Sequence, residues 1–457
     1  MKVLIVGAGV SGFGAAKLLR LADHTVSISE QKQLSVDDRA SYTNLGVSVL
    51  DGGHDLSHLE DIELLVASPG LPSTHMLLKE SQKRGISIIS EIDLAMKDIK
   101  ITVFGVTGTN GKSTTVALID HALNKLGLTS APCGNFGDPP SLIIAEKRLP
   151  ENFVLELSSY QLEQSKAVHV DCSMITSFSC DHLARHGTEK DYFASKWKII
   201  ELAKPKSPVI LSADVAHAAI NLGWLIPEGT YVIGENTFPS VPGIKQVAID
   251  GRTVNIEGKP AFKLSNEFLK GPHNLRNLAF AALAIHLVKK IPYTDIVEAL
   301  SDYRGLPHRC QLVGRFAGRN VFNDSKSTNV ESTLVALQAM PEKVILMMGG
   351  IGKGEPYAPI LAEKNKIAVL LTFGPTGPDI AAALSSSLPV QNFPTLASLF
   401  AGITGIIETY QHPILFSPGC ASFDEFRNFA HRGDYFSTQI NQVIAATNAK
   451  KRNNGST

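Results

Sequence analysis

The chain has 457 residues, with 43 Lys plus Arg against 43 Asp plus Glu; that length calls for roughly three domains, and the balance offers no large field for nucleic acid or an anionic membrane surface. Its five cysteines, Cys133, Cys172, Cys180, Cys310 and Cys420, are odd in number, scattered and never spaced C-x-x-C, which argues against a disulfide framework or a thiolate zinc site and fits a reducing compartment. No uninterrupted apolar run reaches the length of a membrane span, so the expectation is a soluble, cytoplasmic protein with small-molecule substrates and neither nucleic acid nor membrane as partner.

Short β-branched runs alternate with longer amphipathic stretches, the pattern of parallel sheets with crossover helices, so the class is α/β. Strands are expected at "KVLIVG", "TVSIS", "IELLVAS" and "ISIIS", making residues 1–95 a small Rossmann-like domain. The apolar N-terminus is read as mature protein, because its glycines form a pattern and no cleavage site follows. A second series starts at "ITVFGVTGTNGKSTT", passes through "NFVLELSS" and "CSMITSF", meets a hairpin signal at Asp250-Gly251 and ends in a helix near "GPHNLRN". This is the central P-loop domain, 96–305. After "YRGLPHR" the pattern restarts with "RNVFNDS", "KVILMMGG", "IAVLLTFG" and "PILFSPG", a C-terminal Rossmann-like domain, 306–457. Its last residues, "NAKKRNNGST", are polar and without periodicity, and are expected to be disordered.

Gly7-Ala8-Gly9-Val10-Ser11-Gly12 follows a strand and opens a helix, with Glu30 at the end of the next strand. The pattern suggests a dinucleotide, but glycines that let a backbone turn tightly toward a diphosphate at a helix N-terminus suit any nucleotide diphosphate, a UDP-sugar included. In "GVTGTNGKSTT" Val106 stands where a phosphate loop has its first glycine. The context of strand, glycine loop and helix survives, so Gly108, Thr109, Asn110, Gly111, Lys112, Ser113 and Thr114 are expected to hold ATP phosphates, Lys112 by charge and Ser113 also through magnesium. Glu156, in "LELSSYQLE", ends a strand where a carboxylate can hold that metal. Asp181, His182 and His186 form a weak metal signal, and Lys196 and Lys198 read as a helix's solvated face.

The order of these motifs resembles that of the Mur ligases, ATP-dependent amide-forming enzymes of peptidoglycan synthesis, along nearly the whole chain. Thr107–Ser113 match that family's TGTNGK[ST] loop, which lacks the early glycine. Within the family, "VASPG", "LELSSYQLE", "LPHR" and "NDSKSTN" resemble members that add D-glutamate to UDP-N-acetylmuramoyl-L-alanine, the alternative being a Mur-type ligase that adds a different amino acid. The resemblance implies ATP and Mg²⁺ as cofactors, a monomer, and three mainly parallel sheets. It assigns Val10, Ser11, Gln31, Lys32, Ser68, Pro69, Gly70 and Asn135 to the UDP substrate. Asn274, Asn277, Arg309 and Asp324 fall to ATP, with Lys326, Thr328, Lys353, Ser422 and Phe429 for D-glutamate. Catalytic and metal roles go to Lys112, Ser113, Glu156, His182 and Lys196, the last as a carbamate. The pattern departs at Lys32, where arginine is expected, and at Phe423, where a smaller apolar residue is. A nicotinamide dehydrogenase would explain the first glycine turn alone, and a P-loop switch protein the second loop alone.

Overall fold

The computed structural model describes residues 1–72, 74–179, 186–234, 241–269 and 271–454, with side chains through 447. Among the described residues there are three sheets, and the chain forms two compact units: Met1–Glu267 with Asn274–Tyr303, and Phe268–His273 with Arg304 onward.

The first unit holds two sheets. Strands β1 (Lys2–Val6), β2 (Thr25–Glu30), β3 (Ser48–Asp51), β4 (Leu64–Ala67) and β5 (Ser87–Ser90) form a parallel sheet in the order β3-β2-β1-β4-β5. The order reverses at β1 and β4, the switch point beyond which such sheets take ligands. In this sheet β3 is the strand without a sequence signal; its "SVLD" is short and half-exposed, without the fully apolar run of the others.

The second sheet comprises β6 (Thr102–Thr107), β7 (Ser130–Gly134), β8 (Asn152–Glu156), β9 (Cys172–Ile175), β10 (Val209–Ser212), β11 (Tyr231–Gly234), β12 (Lys245–Asp250), β13 (Thr253–Ile256) and β14 (Lys259–Lys263), ordered β14-β13-β12-β11-β10-β9-β6-β8-β7. The strands from β7 to β12 pair in parallel, while the Asp250-Gly251 turn reverses the chain, with Asp250 opposite Thr253. β6 is buried between β8 and β9, so its C-terminal end delivers the phosphate-type loop to the sheet's centre.

The two sheets share one unit because helices pack between them. Gly14, on the helix Val10–Leu21, meets the helix Pro140–Ala145 so closely that a Cβ would lie 2.5 Å from Ser141 Oγ and 2.9 Å from Leu142 N. Glu91, fully buried at the start of the helix Glu91–Met96, accepts from Ser141 N at 2.9 Å. Burial pushes its carboxyl up to about 7.

The second unit contains β15 (Gln311–Phe316), β16 (Arg319–Asn323), β17 (Val344–Gly349), β18 (Ile367–Phe373), β19 (Val390–Phe393) and β20 (Ile414–Phe416), ordered β15-β16-β20-β17-β18-β19 and parallel apart from β15 against β16. The final helix spans Phe429–Asn454 and so runs into the segment expected to be disordered. That polar segment continues a helix whose Phe436 and Ile440 are anchored in the core of this unit. No helix among the described residues is long and apolar enough to cross a membrane.

Candidate active site

The loop between β6 and the helix Lys112–Lys125 owes its course to two glycines. Gly108 has φ +139°, and a Cβ there would lie 2.3 Å from Thr176 Oγ1; Gly111 has φ +86°, and its Cβ would lie 2.6 Å from Asn277 Oδ1. Both positions exclude a side chain by conformation and by contact. The missing early glycine is harmless because Val106 is still strand, paired with Glu156 on one side and Met174 on the other.

Residues just beyond β9 grip the loop. Thr109 N donates to Ser177 O at 2.9 Å, Asn110 N to Ser177 Oγ at 2.8 Å, and Thr176 Oγ1 to Asn110 O at 2.6 Å. These residues carry no sequence signal: "ITSFS" holds no motif, and only its pairing beside β6 gives the hydroxyls their purpose. Lys112 Nζ folds back to donate to the carbonyls of Gly108 at 2.8 Å and Thr109 at 2.9 Å, while Ser113 and Thr114 are buried at the helix start. Asn277 closes the other side, its Oδ1 accepting from Thr115 Oγ1 at 3.4 Å and its Nδ2 donating to Asn274 Oδ1 at 3.5 Å.

Lys196 is 2 % exposed, not a solvated helix residue. Its Nζ donates to Gly108 O at 2.7 Å and stands 4.4 Å from the centre of the Tyr192 ring. Tyr192, a second residue without a sequence signal, has its hydroxyl 3.3 Å from Thr109 Oγ1. Lys198 points elsewhere, donating to Glu163 O at 2.9 Å. Glu156 ends β8 with 1 % exposure; its Oε1 accepts from Asn135 Nδ2 at 2.7 Å, and its Oε2 is buried with no hydrogen-bond partner among the described residues. A carboxylate oxygen left so is costly unless a cation takes it. Asn135 and Glu156, expected to serve different ligands, are thus one hydrogen-bonded pair. His186 lies 3.0 Å from both Glu163 Oε1 and Ser159 Oγ. Asp181 and His182 lie outside the described residues.

At the first sheet, Gly7 has φ +104° and a Cβ there would meet Ser68 Oγ at 2.6 Å; a Cβ on Gly12 would lie 2.0 Å from Gly7 O; one on Gly9 would meet nothing within 4 Å. Gly7 and Gly12 therefore build the turn, and Gly9 leaves space above it. Glu30 fastens the turn, accepting from Ala8 N at 2.7 Å and Lys32 N at 3.1 Å. Ser68 Oγ donates to Gly7 O at 3.4 Å, bringing the "SPG" segment to the same strand ends. Val10, Gln31, Lys32 and Gly70 are exposed there, Ser11 and Pro69 half-buried.

In the second unit, Asp324 is buried and its oxygens are taken by Cys310 N at 3.0 Å, Ser417 Oγ at 2.8 Å and Ser327 Oγ at 2.5 Å. Burial raises its carboxyl to about 6 against those bonds. Arg309 lies between two non-glycine residues in left-handed backbone, His308 at φ +60° and Cys310 at φ +44°, a local strain that the Cys310 N bond to Asp324 helps to hold in place. Lys326 Nζ stands 4.2 Å from the centre of the Phe429 ring. Ser422 is buried, Thr328 half-buried, Lys353 exposed, and Phe423 is 71 % exposed.

The profile of the Mur ligase MurD-like N-terminal domain matches residues 1–90, and that of the Mur ligase middle domain matches residues 106–285. A UDP-N-acetylmuramoylalanine--D-glutamate ligase from Enterococcus faecalis is 32% identical over 458 residues, covering 97% of each chain. The chain belongs to the Mur ligase family. A relative of the same name from Gloeobacter violaceus is 32% identical, covering 96% of this chain and 98% of its own. Among solved Mur ligases, UDP-N-acetylmuramate-alanine ligase from Thermotoga maritima shares the fold with a TM-score of 0.62 at 19% identity, covering 97% of this chain and 100% of that one. MurF ligase from the same organism, in complex with ADP, gives 0.60 at 14% identity, covering 92% and 96%. The three-sheet α/β architecture is that of the family.

Proposed function

We propose that this chain is an ATP-dependent ligase joining D-glutamate to the L-alanyl carboxylate of UDP-N-acetylmuramoyl-L-alanine, a step of peptidoglycan precursor synthesis in the cytoplasm. The observation that carries the reading is the TGTNGKS loop, with Lys112 and Lys196 both on Gly108, in a chain alike from end to end to ligases of that name.

A carboxylate resists attack by an amine because it is anionic and its oxygen leaves poorly. Transfer of the γ-phosphoryl group of ATP to it gives an acyl phosphate. The D-glutamate amine then adds to the acyl carbon, the tetrahedral intermediate expels phosphate, and the amine proton is lost. Lys112 and the N–H groups of the loop meet charge as it develops on the transferring group, where fixed donors count most. Thr109 and Asn110, tied to Ser177, keep those donors from reorganising.

Magnesium fits the donor set: Ser113 offers a hydroxyl, and Glu156 Oε2 is a buried oxygen without a hydrogen-bond partner among the described residues. Bound there, the metal would neutralise phosphate charge. His182 and a carbamate on Lys196 are its further proposed ligands. The Gly7–Gly12 turn is assigned to the UDP diphosphate, with Ser68, Pro69 and Gly70 beside it, Gln31 and Lys32 at the uridine edge and Asn135 toward the muramoyl end. Asn274, Asn277, Arg309 and Asp324 are assigned to ATP, Arg309 to phosphate and Asp324 to the ribose. Lys326, Thr328, Lys353, Ser422 and Phe429 are assigned to D-glutamate. The protein is proposed to act as a monomer.

The test is phosphate release from ATP with UDP-N-acetylmuramoyl-L-alanine and a panel of amino acids. Release that needs both the UDP substrate and D-glutamate supports the reading; equal release with L-alanine, L-lysine or no amino acid overturns it.

A further inference from the structure

The loop that holds the phosphate-type loop is itself held from behind. Asp214 is the second residue of the helix Ala213–Asn221, directly after β10, and its Oδ2 accepts from Phe178 N at 2.6 Å. β9 and β10 pair with Ile175 opposite Leu211, so Phe178 and Asp214 each stand three residues past a matched pair, and the carboxylate bridges the two strand exits. On either side of Phe178, Ser177 accepts from Thr109 N and Asn110 N, while Ser179 O accepts from Thr109 Oγ1 at 3.2 Å. The Phe178 ring packs edge-on against Phe193 at 4.7 Å, fixing the same residue from its side chain. Asp214 has no hydrogen bond to residues 108–113; what it reaches there it reaches through the backbone of Phe178.

The other oxygen, Asp214 Oδ1, is buried without a hydrogen-bond partner among the described residues. A carboxylate kept in such a place costs stability, and an uncharged side chain would avoid that cost. What the charge provides is a short bond to one N–H, about twice the strength of a neutral one.

We infer that Asp214 is a positioning residue for ATP: by pinning Phe178 N it sets where Ser177 and Ser179 hold Thr109 and Asn110, and so where the loop's donors meet the phosphates. This rests on residues 108–114 being the ATP loop. The experiment measures KM for ATP, the UDP substrate and D-glutamate, and the Kd for Mg-ADP, in Asp214→Ala and Asp214→Asn, with Lys112→Ala in parallel. In Asp214→Ala the ATP KM and the ADP Kd should rise together, about tenfold for one lost charged hydrogen bond, with the other two KM values within twofold. Asp214→Asn keeps an acceptor and should recover more than half of that loss on a logarithmic scale. A residue that merely stabilises the domain would lower Tm and the active fraction while leaving the ATP KM of the folded enzyme unchanged, and that result overturns the inference, as does an equal rise in all three KM values. Should Asp214→Ala fail to fold, Asp214→Asn decides alone: an ATP KM raised at least twofold supports the role, and an unchanged one removes it. If Lys112→Ala is also silent toward ATP, the nucleotide assignment itself is at fault.

Discussion

Lys112 and Lys196 donate to one acceptor: the Gly108 carbonyl oxygen lies 2.8 Å from Lys112 Nζ and 2.7 Å from Lys196 Nζ. Two ammonium groups on one oxygen repel each other, whereas a carbamate on Lys196 would turn the neighbour of Lys112 into an anion with oxygen donors for magnesium. Lys112→Ala should therefore reduce turnover about 10²–10³-fold with an unchanged melting temperature. Lys196→Arg retains the charge but forms no stable carbamate, and is expected to be nearly inactive and indifferent to bicarbonate. Wild-type activity should fall in degassed buffer after prolonged incubation and return with bicarbonate. Lys198→Arg, whose ammonium serves Glu163 O, should stay within a few-fold of wild type. Full activity of Lys196→Arg would remove the carbamate from the account.

Gly9 separates the UDP assignment from stability. Its φ is −74° and a Cβ there would meet nothing within 4 Å, so Gly9→Ala should leave Tm essentially unchanged. A diphosphate approaching the turn would meet the new methyl group, and KM for the UDP substrate should rise with KM for ATP constant. An unaltered KM for the UDP substrate would place the diphosphate elsewhere.

Glu156 Oε2 is the buried oxygen assigned to magnesium. In Glu156→Gln the amide oxygen can still accept from Asn135 Nδ2, but the site loses its negative charge. Titrating Mg²⁺ at saturating ATP should show half-maximal activity displaced upward by about tenfold or more, the size of one charged contact. An identical Mg²⁺ requirement would assign Glu156 to the pairing with Asn135 alone.

Glu91 gives the fold a pH signature. Burial raises its carboxyl from 4.5 to about 7, so between those values the folded state holds a proton that the unfolded state has released. Stability from this group is present below pH 4.5 and declines as pH rises through 7. The displacement corresponds to about 3 kcal/mol. Glu91→Gln keeps an acceptor for Ser141 N, and urea unfolding should find it more stable than wild type at pH 8 and nearly equal at pH 4.5. Parallel stability profiles for the two proteins would contradict this.

The strands with continuous apolar runs, β1, β6, β17 and β18, are legible in the sequence because burial on both faces leaves no polar alternation. β3 is not, being half-exposed and four residues long. The phosphate-type loop is legible because its glycines answer to local conformation. The pairing of Asn135 with Glu156, the hold of Ser177 on Asn110 and the descent of Lys196 into the core are not. Each depends on which strands become neighbours: β7 beside β8, and β9 beside β6. Residues 1–95 and the segment that follows, separable by pattern, lie in one unit, and Gly14 lets the helices Val10–Leu21 and Pro140–Ala145 touch, a contact no single-residue pattern announces.

In the proposed reaction ATP activates the L-alanyl carboxylate as an acyl phosphate for attack by D-glutamate. The direct measurement uses UDP-N-acetylmuramoyl-L-alanine labelled with ¹⁸O in that carboxylate, with mass analysis of the phosphate and product after turnover with ATP and D-glutamate. Each phosphate released should carry one ¹⁸O, with one amide bond formed for each. Phosphate whose added oxygen comes from water, or whose release proceeds at full rate without D-glutamate, would rule this route out.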